Sequence, residues 1–295
     1  MTSTGGGGGG AWLRAVAGDG GRGPLLARGG QLVHGPRRLG ELVQGRPPGV
    51  TGSQWSTASR EGYDLVVCAA DTARPVFAVE VGPVAAPGSA AQRAERLKNA
   101  VAEAVGLAVL RIGSPTLRAG EHGRRIVAYV IDARAYAALG AGEPDDTGVP
   151  PIGFRDILGR LPDGRTGHVN DLGALARAAA VEAYVSRRLV DPIVRGLHVR
   201  WTGGPAEGWS WVRVRPGACL VERVTVHPQR VSAGVDPGRL AEDLAAVAVG
   251  ERLRAPDAAE AVLTPWDELL AEIRGLESRH DEMTGGFAFA HLCAD

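Results

Sequence analysis

Among the 33 lysine and arginine residues of this 295-residue chain, only Lys98 is a lysine. Arginine is a wide, permanently charged fork. Lysine is a compact point charge whose proton affinity shifts readily when buried. A lone lysine in a chain that otherwise uses arginine marks a position where a compact ammonium is needed, for instance to orient water or to stabilise charge on a reacting phosphate. Two acids upstream sit in equally unusual surroundings. Asp64 interrupts the apolar run "YDLVV", and Glu80 interrupts "FAVEV". Acids are depleted in strands and are seldom buried without a partner. With the intervening turn centred near Thr72, the two acids fall at or near one rung, with Cβ atoms about 4.5–5.5 Å apart. Like charges so placed destabilise a sheet unless something neutralises them, and a Mg²⁺ or Mn²⁺ ion takes hard oxygen ligands of this kind. The structural alternatives are an arginine, Arg60 or Arg111, beside one acid, or a slipped register that turns one acid to water. For Lys98 the structural alternative is a surface ion pair with Glu95 one turn earlier.

The elements that position these residues follow from pattern and punctuation. "YDLVVCAA" (63–70) and "PVFAVEV" (75–81) read as strands joined by the turn "DTAR". "SAAQRAERLKNAVAEAVG" reads as a helix capped by Ser89 and closed by Gly106. "LAVLRI" (107–112) reads as a short buried strand. The first half therefore predicts the order strand, strand, helix, strand. Val127, Val130, Ile131 and Ala135 recur at helical spacing in "RRIVAYVIDARAYAAL", which predicts a further helix. "QLVHGPRRLGELVQGRPPG" (31–49) holds a short strand or helix before a Pro-Gly break.

Asp64 on one strand, Glu80 near the end of the next, "ERLK" on the following helix and then "GLAVLRI" together resemble the PD-(D/E)XK nuclease superfamily. The pattern is most similar to its bacterial very-short-patch-repair-like and uncharacterised-domain branch. The resemblance covers roughly residues 60–115 and implies a restriction-endonuclease-like α/β (α+β) core. It also implies metal-dependent hydrolysis of nucleic-acid phosphodiesters, with Mg²⁺ or Mn²⁺ as cofactor and DNA as the expected partner. On this reading Asp64 and Glu80 are the metal ligands, and Asp64, Glu80 and Lys98 are the catalytic set. Arg111, Arg93 and Glu95 are the nucleic-acid contacts, Arg111 having the structural alternative of a counter-ion to the acids. Glu41 in "RLGELVQ" is a candidate third carboxylate, because many members of the superfamily place one on an N-terminal helix. The sequence also departs from the pattern. Gly82 stands where a second acid is expected, no histidine follows, and the lysine of an E-x-K triplet is missing unless Lys98 replaces it. These departures carry the alternative reading, a catalytically degenerate module that binds nucleic acid or a protein.

The expected organisation is a flexible glycine-rich start (1–30), a nuclease-like core (31–140), a linker (141–153) and a C-terminal α+β domain (154–295). The last reads as a helical segment with a small antiparallel sheet. Its first helix, "NDLGALARAAAVEAYVSRRLVDP", is expected to be capped by Asn170 or Asp171 and stopped at Pro192. Asp236 and Pro237 open another helix, and Thr264 and Pro265 a third. Arginines alternate with tryptophans in "VRWTGGPAEGWSWVRVRP". Such a pattern can stack bases, but a hairpin sorting its side chains by face explains it better. His168 reads as a local hydrogen-bonding residue.

Net charge is zero, so the whole chain is not a polyelectrolyte and any nucleic-acid contact is local. The three cysteines have no metal-ligand spacing, and their odd number without a secretion signal predicts a reducing cytoplasm. No apolar run approaches the roughly 20 residues that span a bilayer.

Overall fold

A computed structural model describes residues 12–16, 23–140, 153–160, 164, 166–255 and 263–285. The chain divides into two compact units, one of residues 1–139 with 228–234, the other of residues 140–227 with 235–295. Both mix helices with sheet. The expected linker falls almost wholly outside the described residues.

The first unit contains strands β1 (Leu26–Arg28), β2 (Gln31–His34) and β3 (Arg37–Arg38), then the short helices α1 (Leu39–Leu42) and α2 (Gly52–Ala58). After these come β4 (Gly62–Tyr63), β5 (Leu65–Ala69), β6 (Pro75–Gly82), α3 (Ala90–Ala104), β7 (Ala108–Gly113) and α4 (Arg124–Gly140). The sheet order is β1-β2-β5-β6-β7. All steps are antiparallel except β6 to β7, which is parallel and is crossed by α3. A parallel step needs such a crossover, and a helix is the usual means. The glycine-rich start is not loose through residue 30, because Leu26–Arg28 pairs with β2 as an edge strand.

Local chemistry accounts for α3. The Ser89 side chain accepts from the Gln92 amide at its start. Gly106, at φ +72°, ends it, and the Leu107 amide returns to the Ala102 carbonyl. Strand alternation then divides the sheet into two faces. Val66, Cys68, Ala78 and Val109 pack with Val101, Ala102 and Val105 of α3 and with Leu39, Leu42 and Tyr63. Two residues beyond Ala78 and Val109 on that same face stand Glu80 and Arg111.

In the second unit β8 (Leu158–Arg160) pairs with β9 (Thr166–His168). Helix α5 (Ala174–Val185), strands β10 (Arg195–Arg200), β11 (Ala206–Arg215) and β12 (Ala218–Gln229), and helix α6 (Pro237–Arg254) follow. A two-residue strand, β13 (Thr264–Pro265), precedes α7 (Trp266–Glu277). The strands β10, β11 and β12 form an antiparallel meander, with β13 on β12. Asp236 caps α6 as expected, its carboxylate accepting from the Arg239 amide, with Pro237 at the first helical position.

Three helix ends differ from expectation. Neither Asn170 nor Asp171 caps α5. Asn170 donates to the Phe154 carbonyl, and Asp171 accepts from the Gly173 amide ahead of the helix. The helix stops at Val185, well before Pro192, because Arg187 turns left-handed and the Arg188 amide closes back on the Ala183 carbonyl. Thr264 and Pro265 pair with Cys219 and Ala218, so α7 begins only at Trp266.

The tryptophan-arginine pattern sorts by face. Trp209 and Trp211 are both buried against Leu269, Ile273 and Leu276 of α7. The Trp201 and Trp209 indole N–H groups both donate to Glu207, at 3.1 and 2.7 Å. Arg223 covers the Trp209 ring and Arg279 the Trp201 ring, each at 4.1 Å. These aromatic faces are already stacked within the chain.

Candidate functional site

The three residues expected to converge are Asp64, Glu80 and Lys98. Across β5 and β6 the register pairs Leu65 with Val79 and Val66 with Ala78. The ladder ends there, and Asp64 lies in the bend between β4 and β5, near enough for the Glu80 charge to act on it. The Asp64 amide donates to the Val79 carbonyl at 3.0 Å, and its Oδ2 accepts from the Val81 amide at 2.8 Å. These two bonds, to the residues on either side of Glu80, hold Asp64 beside it. Burial raises the Asp64 pKa above the usual carboxylate range, against the Val81 hydrogen bond, and the Glu80 charge adds to the rise. Its Oδ1 has no hydrogen-bond partner among the described residues.

Lys98 projects from the buried stripe of α3 and is only 4% exposed. Its ammonium forms an ion pair with Glu80 Oε1, donates to the Gly62 carbonyl at 2.9 Å and lies 4.8 Å from the centre of the Tyr63 ring. Its surroundings are thus one carboxylate, one carbonyl and one aromatic face. A tetrahedral ammonium satisfies all three from a single atom. A planar guanidinium spreads its donors over three nitrogens on a three-carbon stem and cannot meet all three partners from one atom. This geometry accounts for the one lysine in the chain.

The second Glu80 oxygen is held by Arg111, Nε to Oε2 at 2.5 Å, and the two residues are register partners across the parallel step. Arg111 also donates to Asn99 Oδ1 at 2.5 Å and lies 3.3 Å from Glu95 Oε1. Arg111 therefore sits as the counter-ion to the acids. Glu95, expected beside Lys98, pairs with Arg111 instead, because the lysine reaches down to the sheet while Glu95 meets the arginine rising from β7. Arg93 is exposed and donates to the Gly88 carbonyl at the start of α3. Glu41 lies on a short helix as expected, but its carboxylate turns back to accept from the Arg38 amide at 2.9 Å.

One member of the cluster went unnoticed in the sequence. Tyr63 is buried, and its hydroxyl has no hydrogen-bond partner among the described residues. Burial, reinforced by the Glu80 charge, raises the phenol's pKa. An isolated tyrosine at the start of a strand carries no signal of this role.

Two neighbouring carboxylates are the kind of ligand a hard divalent cation takes. Asp64 has an oxygen without a partner and a charge that burial disfavours, which a cation would relieve. Glu80 would have to release Lys98 or Arg111 to join it. As the side chains stand, the pair offers a cation one unpaired oxygen, Asp64 Oδ1. Among the described residues no group of three or more His, Cys, Asp and Glu side chains converges.

The second unit holds another buried cluster that its sequence did not announce. Asp243, 2% exposed on α6, pairs with Arg155 at 2.8 Å, while Asp171 pairs with Arg177. Asp243 Oδ2 has no hydrogen-bond partner among the described residues. Burial raises the Asp243 pKa to about 6 in spite of Arg155. The neighbouring Glu242 accepts from His198 Nδ1 at 2.7 Å. Burial would raise the Glu242 pKa too, but His198 and Arg239 carry it below the usual range. In "LAEDLAA" the two acids look alike, and only packing separates them.

Compared with known proteins, the chain matches no family model, no curated protein and no solved structure. Among the described residues no helix is long and apolar enough to cross a membrane.

Proposed function

We propose that the first unit is a PD-(D/E)XK-like core that hydrolyses nucleic-acid phosphodiester bonds with a divalent metal. The carrying observation is Asp64 held to Val79 and Val81 on either side of Glu80, with the Lys98 ammonium against Glu80. The strand order β2-β5-β6-β7, with α3 crossing from β6 to β7, is consistent with such a core. Asp64 and Glu80 would hold Mg²⁺ or Mn²⁺, which when bound supplies an acidified water and a positive clamp on the scissile phosphate. Lys98, once released from Glu80, brings a compact positive charge to the same oxygens and so stabilises the charge that develops on phosphate. Arg111 keeps the Glu80 carboxylate in place from the neighbouring strand.

The test is nicking of supercoiled plasmid in Mn²⁺, together with calorimetric Mn²⁺ titration. Asp64→Asn keeps an acceptor for the Val81 amide and Glu80→Gln keeps the size of the side chain but leaves Lys98 and Arg111 without their shared carboxylate, so circular dichroism is used to check that each variant is folded. Loss of nicking and of the binding isotherm in each, with an exposed control, Arg274→Ala, unchanged, is the expected result. A wild-type chain that binds no Mn²⁺ ends the catalytic reading.

One observation favours a second reading, a non-catalytic binding module. Both Glu80 oxygens already have cationic partners, so the carboxylate is neutralised without a metal. Retention of a labelled duplex by a chain that takes up no Mn²⁺ would establish it.

A further inference from the structure

The two units differ in charge. The first holds 17 arginine and lysine residues against 10 aspartates and glutamates, a net +7, and the second 16 against 23, a net −7. A domain with such an excess attracts polyanions wherever its cations are not already neutralised. Five arginines of the first unit gather at one end of its sheet. Strands β6 and β7 run parallel and end together, Gly82 beside Gly113, two residues beyond Glu80. Helix α3 starts from that end on the Glu80 face, and exposed Arg93 and Arg96 lie between its N-terminus and Lys98. The chain leaving β7 turns to the opposite face. Gly123 there is tight against Leu65, the register partner of Val79 (a Cβ on it would fall 2.7 Å from the Leu65 side chain). On this side Arg118, Arg124 and Arg125 are exposed. Arg96 and Arg124 have no side-chain partner among the described residues. The Arg93 and Arg118 guanidiniums donate to the nearby carbonyls of Gly88 and Leu117. Glu95, between the two arginines of α3, is drawn to Arg111, which leaves Glu121 as the exposed acid of the group.

We propose that these five arginines are a phosphate-binding surface that grips the backbone of nucleic acid, without regard to sequence, on either side of the candidate site. The inference rests on the nucleic-acid reading of the first unit and holds whether or not the site cleaves. Ligands of open α/β sheets bind outside the carboxyl ends of parallel strands, which is where the arginines stand. Guanidinium groups take phosphate oxygens through paired N–H donors, and neutralising successive phosphates releases their counterions. Contacts of this kind fix position and carry no sequence information. The neutrality of the whole chain hides the surface, because the acids of the second unit cancel it in the sum.

Fluorescence anisotropy of short labelled duplexes of two unrelated sequences tests this, with the full chain and with EDTA to keep metal out. Both duplexes should bind alike, log affinity falling against log salt with a slope of about −4. The double variant Arg96→Ala/Arg124→Ala should bind both about tenfold more weakly, or worse, with a slope smaller by about 2. Both changes are at exposed positions, so the far-ultraviolet spectrum should not change. Arg274→Ala, exposed in the second unit, should bind as wild type. A wild-type chain that binds no duplex at low salt, or a double variant that binds as wild type with an unchanged slope, would overturn the proposal. So would stronger capture by phosphatidylserine vesicles than by either duplex. Mn²⁺ uptake separates this surface from the catalytic reading. Mn²⁺ bound by a chain whose double variant keeps its duplex sinks the surface alone. Duplex lost in the double variant of a chain that takes up no Mn²⁺ supports the surface and ends the catalysis.

Discussion

The Lys98 ammonium donates to the Gly62 carbonyl at 2.9 Å while its ion pair with Glu80 ties the same atom to β6. One side chain of α3 thus joins β4, β6 and the helix, in a place almost closed to water. Removing one partner of a buried ion pair typically costs about 3–5 kcal/mol, because the other charge is left uncompensated. Arg111 remains beside Glu80, so Lys98→Ala is expected at the lower end, about 3 kcal/mol, in urea unfolding followed by circular dichroism. Lys98→Arg keeps the charge and still destabilises, by about 1–3 kcal/mol, since the fork cannot meet the same three partners from one atom. An arginine variant as stable as wild type would remove the geometric reason for the lysine.

Tyr63 gives a prediction of opposite sign. A buried hydroxyl without a partner costs about 1–3 kcal/mol, and replacing it by an apolar group of the same shape removes that cost. Tyr63→Phe should raise the urea midpoint, with a gain of about 1 kcal/mol at unchanged m-value. A lowered midpoint would mean that the hydroxyl has a partner in solution, such as an ordered water.

The pH dependence of stability should carry the mark of Asp243. Its folded pKa, about 6, lies above the usual carboxylate value, so between about pH 4 and 6 the folded state binds a proton that the unfolded state has lost. Stability from this group is greatest below about pH 4 and falls as pH rises to about 6, by at most about 3 kcal/mol. Unfolding free energies of wild type and Asp243→Asn, taken from about pH 4 to 8, should diverge across that window and run parallel above it. Parallel curves throughout would place the Asp243 carboxyl in the ordinary range.

Gly208 lies where β11 meets α6. A Cβ built there falls 2.0 Å from the Glu242 amide nitrogen and 2.1 Å from the Ala241 carbonyl carbon. Both obstacles are backbone, so no rotamer relieves the clash and the helix must move off the sheet. Gly208→Ala should destabilise the second unit by more than about 3 kcal/mol, beyond ordinary overpacking. Differential scanning calorimetry is expected to show an early transition, and an unshifted thermogram would contradict the close approach.

How far the sequence could be read depended on the range of the interaction. Alternation, caps and the turn between the acids are local, so the two strands and the helix between Ser89 and Gly106 were legible without coordinates. The bend that takes Asp64 out of the ladder was not, because it depends on its side chain accepting from the Val81 amide across the sheet. The partner of Lys98 was not. Helical spacing offered Glu95, and the sheet supplied Glu80 and Gly62, because a side chain buried beneath a helix meets what the crossover brings under it. The end of α5 depended on a left-handed arginine, where propensity would have continued to the proline. Asp243 and Glu242 are neighbours in the chain with opposite environments, one held inside by Arg155 and the other facing His198. The sequence alone determined which segments are strands and helices and which residues are chemically out of place. Only the tertiary structure decided which charges face each other, since that depends on distances between elements that no local pattern encodes.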